Sequence, residues 1–232
     1  MLTVRKADER GVTDIDWLHS RHTFSFGEYH DPGHMGFHTL RVINEDVVDP
    51  GAGFGAHPHR DMEIISYVLE GALAHKDSTG GGSVIRPGDV QLMSAGSGVT
   101  HSEFNHSKED PAHFLQIWIV PDKKGLKPAY QQKTFDIKNN PDSWTLLIAP
   151  DGKEDVLTIH QDAYVYAASF NPKTTLTYDI KTGRRAWIQV ARGMVEVNRQ
   201  ALKAGDGIAA VNESALMICA QQPAELLLFD LG

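Results

Sequence analysis

The chain has 232 residues and a formal net charge of −8, enough length for one large β domain or two small ones. With no dominant basic patch it is not expected to bind nucleic acid non-specifically, and no run of about 18 apolar residues predicts a membrane span. A single cysteine, Cys219, excludes an intramolecular disulfide framework and suits a reducing compartment. Met1-Leu2-Thr3-Val4-Arg5-Lys6 lacks the apolar core of a signal peptide, so the expectation is a cytoplasmic monomer without membrane contact.

In chain order, breaker clusters punctuate the sequence: Asp31-Pro32-Gly33, Asp49-Pro50-Gly51, Thr79-Gly80-Gly81-Gly82, Arg86-Pro87-Gly88-Asp89 and Ala95-Gly96-Ser97-Gly98. Between them lie predicted strands at 39–48, 63–70, 90–94 and 114–120. No long window carries a 3.6-residue apolar period, and short strands at this spacing predict an all-β sandwich or barrel. Phe114, Gln116 and Trp118 alternate with Leu115, Ile117 and Ile119. Gln116 marks its face as a candidate cavity wall, while Trp118 is expected in the core rather than as a substrate platform.

The second half repeats part of the first. Val68-Leu69-Glu70-Gly71 followed by Pro87-Gly88-Asp89-Val90 corresponds to Val190-Ala191-Arg192-Gly193 followed by Ala204-Gly205-Asp206-Gly207. Both read as strand, glycine turn, strand, then a Gly-Asp turn into a further strand, which predicts a duplicated domain. The polar segment 121–141 is the expected linker, dividing the chain into 1–125 and 126–232.

Of the 12 histidines, 11 occur at or before His113 and only His160 follows, so metal or acid–base chemistry belongs to the first half. His57-Pro58-His59 and His101-Ser102-Glu103 each space two potential ligands at i, i+2. Alternate side chains of a strand share a face, so each pair can aim both members at one point. Imidazole and carboxylate together suit a first-row divalent metal, and three nitrogens with one oxygen leave coordination positions open for substrate or dioxygen. A closed structural zinc site would usually recruit cysteine.

Gly51 through Glu63 with Gly71, and Gly88-Asp89 followed by Gly96 through Asn105, resemble the two motifs of the cupin superfamily, although Gly71 falls one residue late, Ser94 replaces the expected proline and His101 falls two residues late. Those departures fit one branch. His57-Pro58-His59-Arg60, Ser66 through Gly71, Pro87 through Gly96, His101-Ser102-Glu103 and His22-Thr23-Phe24-Ser25-Phe26-Gly27 are similar to the pirin family. The resemblance implies a bicupin of two packed β-sandwich barrels, with one divalent cation (Fe2+ foremost; Zn2+, Ni2+, Co2+, Mn2+ or Cu2+ as alternatives) in the N-terminal barrel and none in a degenerate C-terminal one. For bacterial members it implies quercetin 2,3-dioxygenase activity, in which a flavonol reacts with dioxygen and carbon monoxide is expelled. The alternative within the family is a non-catalytic metal-binding module that acts on a protein partner.

The general cupin pattern nominates Glu63 as the carboxylate ligand, and the pirin pattern nominates Glu103. Parity does not decide between them. Glu103 is preferred because one residue separates it from His101, whereas Pro58 and the turn-like Arg60-Asp61 interrupt the path from His59 to Glu63. The expected ligands are therefore His57, His59, His101 and Glu103, with Glu103 also the catalytic base and Glu63 a supporting hydrogen-bond acceptor. His75 and His106 are expected in solvent. His19, His22, His30, His34 and His38 are expected to be ordinary surface and core histidines, with His34 or His38 the nearest to a cavity mouth.

Overall fold

The computed structural model describes residues 1–152 and 155–232. In chain order the strands are β1 Leu2–Arg5, β2 Gly11–Ile15, β3 Leu18–His22, β4 Leu40–Val48, β5 Gly53–His59, β6 Glu63–Glu70, β7 Leu73–Asp77 and β8 Gly82–Ile85. Then come β9 Asp89–Ser94, β10 Val99–Asn105, β11 Ala112–Ile119, β12 Ala129–Thr134, β13 Thr145–Ala149, β14 Leu157–Thr158 and β15 Ala163–Phe170. The remainder are β16 Thr174–Asp179, β17 Arg185–Arg192, β18 Met194–Val197, β19 Gln200–Lys203, β20 Gly207–Val211, β21 Ala215–Ala220 and β22 Ala224–Leu231. The only helical element among the described residues is one 3-10 turn at Ala7–Glu9.

Two compact units result. The first sandwich holds residues 11–134 with 159–161, and the second holds 1–10, 135–158 and 162–232. Their sheets have the same plan. The first pairs a large sheet containing β9-β6-β11-β4 with a small sheet β5-β10-β7-β8; the second pairs β20-β17-β22-β15 with β16-β21-β18-β19. Each strand of the first series corresponds to the strand eleven places later, the arrangement a duplicated bicupin requires.

The contacts divide the chain differently from the expected 1–125 and 126–232. Part of the polar segment 121–141 is a strand: β12 lies on β9 at the edge of the first large sheet. The equivalent edge of the second is filled by β1, which pairs with β20 through Leu2↔Ala210 and Arg5↔Gly207.

The interiors differ in composition. The second is one continuous apolar cluster that includes Ala168, Ile188, Leu216, Ile218, Ala220, Leu226 and Leu228. In the first, one cluster gathers Val68, Leu73 and Phe114, and another gathers Ile64, Met93 and Val99 with Trp118 against it. Between them on the same strand faces lie Ser66 on β6, Gln91 on β9, His101 and Glu103 on β10 and Gln116 on β11, all buried. Buried polar groups are costly unless they are paired, so a polar belt across a sandwich interior is a functional feature to be explained.

A candidate metal centre at the open end of the first sandwich

Strand β10 buries Val99, His101, Glu103 and Asn105 and turns Thr100 and Phe104 outward, the period-2 alternation that points both His101 and Glu103 into the sandwich. Strand β5 is the edge of its sheet, where a proline is tolerated because no inward ladder bond is lost. Pro58 sits opposite Thr100, and His57 lies directly across from His101. The register shifts between His101 and Glu103, where Glu103 faces Phe54. Such a bulge re-aims side chains beside a site.

Three imidazoles converge here. Ring centroids lie 4.4 Å apart for His57 and His101, 4.8 Å for His59 and His101, and 4.8 Å for His57 and His59. One potential ligand atom from each lies within 4.8 Å of the others, and a second such group joins His101 to Glu103 and His75. The four residues expected as ligands thus meet through His101.

Glu103 is fully buried. Its Oε1 accepts from the Ser66 hydroxyl at 3.2 Å and its Oε2 from the Gln116 amide at 2.8 Å. Burial, with the nearby charge of Asp46, pushes its carboxyl up to about 7. Burial and the neighbouring His57 bring His59 down to about 4. Burial, followed by repulsion from His57, His59 and His75, brings His101 down to about 3. Both rings are therefore neutral near pH 7, the form that offers a lone pair to a metal. The Nδ1–H of His57 donates to the Gly55 carbonyl at 2.7 Å, which leaves its Nε2 as the coordinating atom. The Nε2 of His101 is buried without a hydrogen-bond partner. An orphaned ring nitrogen among neutral imidazoles and a buried carboxylate fits a first-row divalent cation, and the cluster is able to bind one.

The site opens into a cavity of about 500 Å³ within the first sandwich, walled by Leu18, Phe26, Phe54 and Trp118 and reached by His57, His59 and Glu103. That volume is ordinary for a small-molecule site. Trp118 stands edge-on to His59 at 4.9 Å and to Phe26 at 5.3 Å between centroids. Expected in the core rather than as a substrate platform, it both packs on the core cluster and lines the cavity.

Glu63 lies outside the cluster. It begins β6, after a turn in which Asp61 has φ 49°, and accepts from Ser94 Oγ at 2.8 Å while contacting His160 Nδ1 at 3.2 Å. His75 is not in solvent: it is 3% exposed. Its Nε2 faces Asp77 at 3.0 Å and its Nδ1 faces His101 at 3.5 Å. Lys76 and Asp77 made the segment look solvated, but on β7 His75 and Asp77 share the buried face and satisfy each other. His22, rather than His34 or His38, lines the cavity together with Ser20, Asn44 and Asp46. The missed signal was available. In 40–48 the face formed by Leu40, Val42, Asn44, Asp46 and Val48 is buried throughout, and two polar residues interrupt an otherwise apolar alternation.

The pirin family model matches residues 3–119, and a model described as the quercetinase C-terminal cupin domain matches 146–231. The chain is similar to quercetin 2,3-dioxygenase of Escherichia coli K12, at 45% identity over 231 residues that cover 100% of this chain and 99% of that protein. Among solved structures it is similar to the bacterial pirin YhhW of Escherichia coli in complex with nickel(II), with a TM-score of 0.95 and 44% identity over 100% of this chain and 99% of the other. A quercetin 2,3-dioxygenase from Acinetobacter baumannii has the same fold, with a TM-score of 0.80 at 20% identity over 98% of this chain and 85% of the other. Two sandwiches on one plan, a histidine cluster in the first and these matches along the whole length place the chain in the pirin family.

Proposed function

We propose that the chain is a metal-dependent dioxygenase that opens the flavonol quercetin with dioxygen and releases carbon monoxide. The carrying observation is the juxtaposition of His57, His59 and His101 with buried Glu103 beside a cavity of about 500 Å³ that has aromatic walls. The name of the Escherichia coli relative supports the reaction and its substrate. His57, His59, His101 and Glu103 would hold the cation, with Fe2+ the foremost candidate. When bound, the cation supplies the Lewis acidity that lowers the pKa of the flavonol 3-hydroxyl and the open positions that bring the reactants together.

The protein side chains account for the rest. Phe26, Phe54 and Trp118 offer flat apolar surface to an aromatic ring system. Glu103 receives the 3-hydroxyl proton at a carboxylate oxygen. Its carboxyl lines the cavity beside the histidine cluster, where a substrate hydroxyl can reach it, and Ser66 and Gln116 hold the carboxyl in place through the transfer. One flavonol and one dioxygen give one ring-opened ester and one carbon monoxide.

The test follows flavonol absorbance and carbon monoxide formation, aerobically and anaerobically, on protein freed of metal and reconstituted with one divalent cation at a time. Oxygen-dependent cleavage that disappears in His59→Ala is expected. Flavonol loss without oxygen, or loss that His59→Ala leaves unchanged, overturns the proposal in favour of a regulatory metal-binding module.

A further inference from the structure

The cavity has a second polar wall that the chemistry above does not use. Strands β3 and β4 pair Ser20 with Asp46 and His22 with Asn44, and all four side chains are buried and line the cavity. His22 is fixed at both nitrogens, by Asn44 Oδ1 at 2.8 Å and Thr13 Oγ1 at 2.9 Å. Asp46 receives a hydrogen bond from Ser20, yet its Oδ1 is buried with no partner. A buried carboxylate oxygen without a donor is costly, and the residue is 3% exposed.

The second sandwich shows that the fold does not need this carboxylate. With Gly71 set on Gly193, the strand registers carry Phe114, opposite Asp46 and Val68, onto Leu226, opposite Ala168 and Val190. Asp46 thus corresponds to Ala168, which lies in the continuous apolar core. The same registers set Ser66 on Ile188, Gln116 on Leu228 and Glu103 on Ile218. Wherever the first sandwich carries its metal-centre carboxylate and the two groups that hold it, the second carries an aliphatic side chain. Asp46 follows the same pattern, so it groups with the functional residues rather than the structural ones.

We propose that Asp46 is a specificity-determining residue, whose free Oδ1 accepts a hydrogen bond from a phenolic ring hydroxyl of the bound flavonol and so selects polyhydroxylated flavonols over those with bare rings. This rests on the flavonol reading of the metal centre. The chemistry fits: Oδ1 of Asp46 is an acceptor without a donor, Asn44 and Ser20 give a polar surround, and Phe54, Leu18 and Trp118 supply apolar contact to a ring. A substrate whose 3-hydroxyl reaches the histidine cluster extends its other rings along the cavity, and a hydroxyl there provides the donor that the protein lacks.

The test is equilibrium binding of quercetin and of 3-hydroxyflavone, which lacks the ring hydroxyls, to nickel(II)-loaded protein under anaerobic conditions, read from the flavonol absorbance shift. At pH 8, above the value of about 7 to which burial raises the Asp46 carboxyl, the wild-type protein should prefer quercetin by about ten- to a hundredfold, the worth of a hydrogen bond to a charged acceptor. In Asp46→Ala, the residue type the second sandwich already carries, the preference should fall to within about threefold of unity. Asp46→Asn, which keeps the volume, should also lower it by about threefold or more. Metal content and melting temperature are measured alongside. Equal binding of both flavonols by the wild-type protein, or a preference that both variants retain, overturns the assignment of Asp46 and leaves the flavonol reading standing. Failure of quercetin to bind the loaded wild-type protein overturns both.

Discussion

Replacing Glu103 by glutamine should stabilise the metal-free protein and destabilise the loaded one. Burial pushes the Glu103 carboxyl from 4.5 to about 7, a difference that corresponds to about 3 kcal/mol between its protonated and ionised forms. Because the folded form holds the proton more tightly than the unfolded chain, the stability that protonated Glu103 contributes is complete below pH 4.5 and is lost as pH rises through about 7. At pH 8 the metal-free protein therefore carries an ionised, buried carboxylate. Glutamine has no such charge, and its hydrogen bonds can be kept: Ser66 still donates to an oxygen, and a half-turn of the Gln116 amide presents its unpaired Oε1 to the new NH2 group. Chelator-treated Glu103→Gln should thus exceed the wild-type protein by up to about 3 kcal/mol at pH 8 and by close to nothing at pH 4.5. His59 and His101 titrate in both proteins and cancel in the difference. With nickel(II) at a thousandfold excess over its Kd the wild-type protein gains about 4 kcal/mol, the variant gains much less, and the order inverts. Urea unfolding at the two pH values, with and without metal, reads all four quantities. A metal-free variant that is less stable than wild type at pH 8, or a difference that does not change with pH, would refute the account of Glu103 as a carboxylate retained for the metal.

Two further perturbations separate the metal centre from the fold. Gly53→Ala should weaken metal binding by about tenfold or more, measured by competition with a chelator, because its added Cβ would run into the Glu103 carbonyl across β5 and β10 and force apart the strands that bring His57 to His101. Asn105→Ala should lower stability by about 2–4 kcal/mol in thermal or urea unfolding while the metal stays bound. Its side chain donates to the carbonyls of Val48, Asp49 and Asp110 and accepts from the Ser107 amide, fastening the loop after β10.

The parts of the site that were legible in the sequence are those set by local geometry. A two-residue spacing on a strand is enough to put His101 and Glu103 on one face, and Pro58 between His57 and His59 is consistent with an edge strand. The duplication showed in Gly71 and Gly193, which both take positive φ, 71° and 74°. At each, a Cβ would strike the carbonyl of a proline, Pro111 or Pro223, that leads into the equivalent strands β11 and β22. Features that depend on distant partners were not legible. Nothing in Leu2–Arg5 encodes pairing with a strand about 200 residues later. His75 reads as solvated until β10 lies beside it, with Glu103 opposite. Asp46 required knowledge of which strand face meets the cavity, although the alternation of 40–48 contained the hint.

The pairing of β1 with β20 sets an order of events during synthesis. All strands of the first sandwich, β2 to β12, have been made once Thr134 is complete. The strand that closes the second sandwich, β1, is made first and its partner β20 almost last. At ribosomal rates of about 5–20 residues per second, β1 waits roughly 10–40 s with its backbone groups unpaired. An open edge of that kind invites pairing with other nascent chains. Here it is only four residues long, ends in Arg5 and is followed by Lys6, and short, charged edges are poor templates for such pairing. The bicupin can thus finish the half that carries the histidine cluster early and still hold back, in a form that aggregates little, the piece that completes the other half.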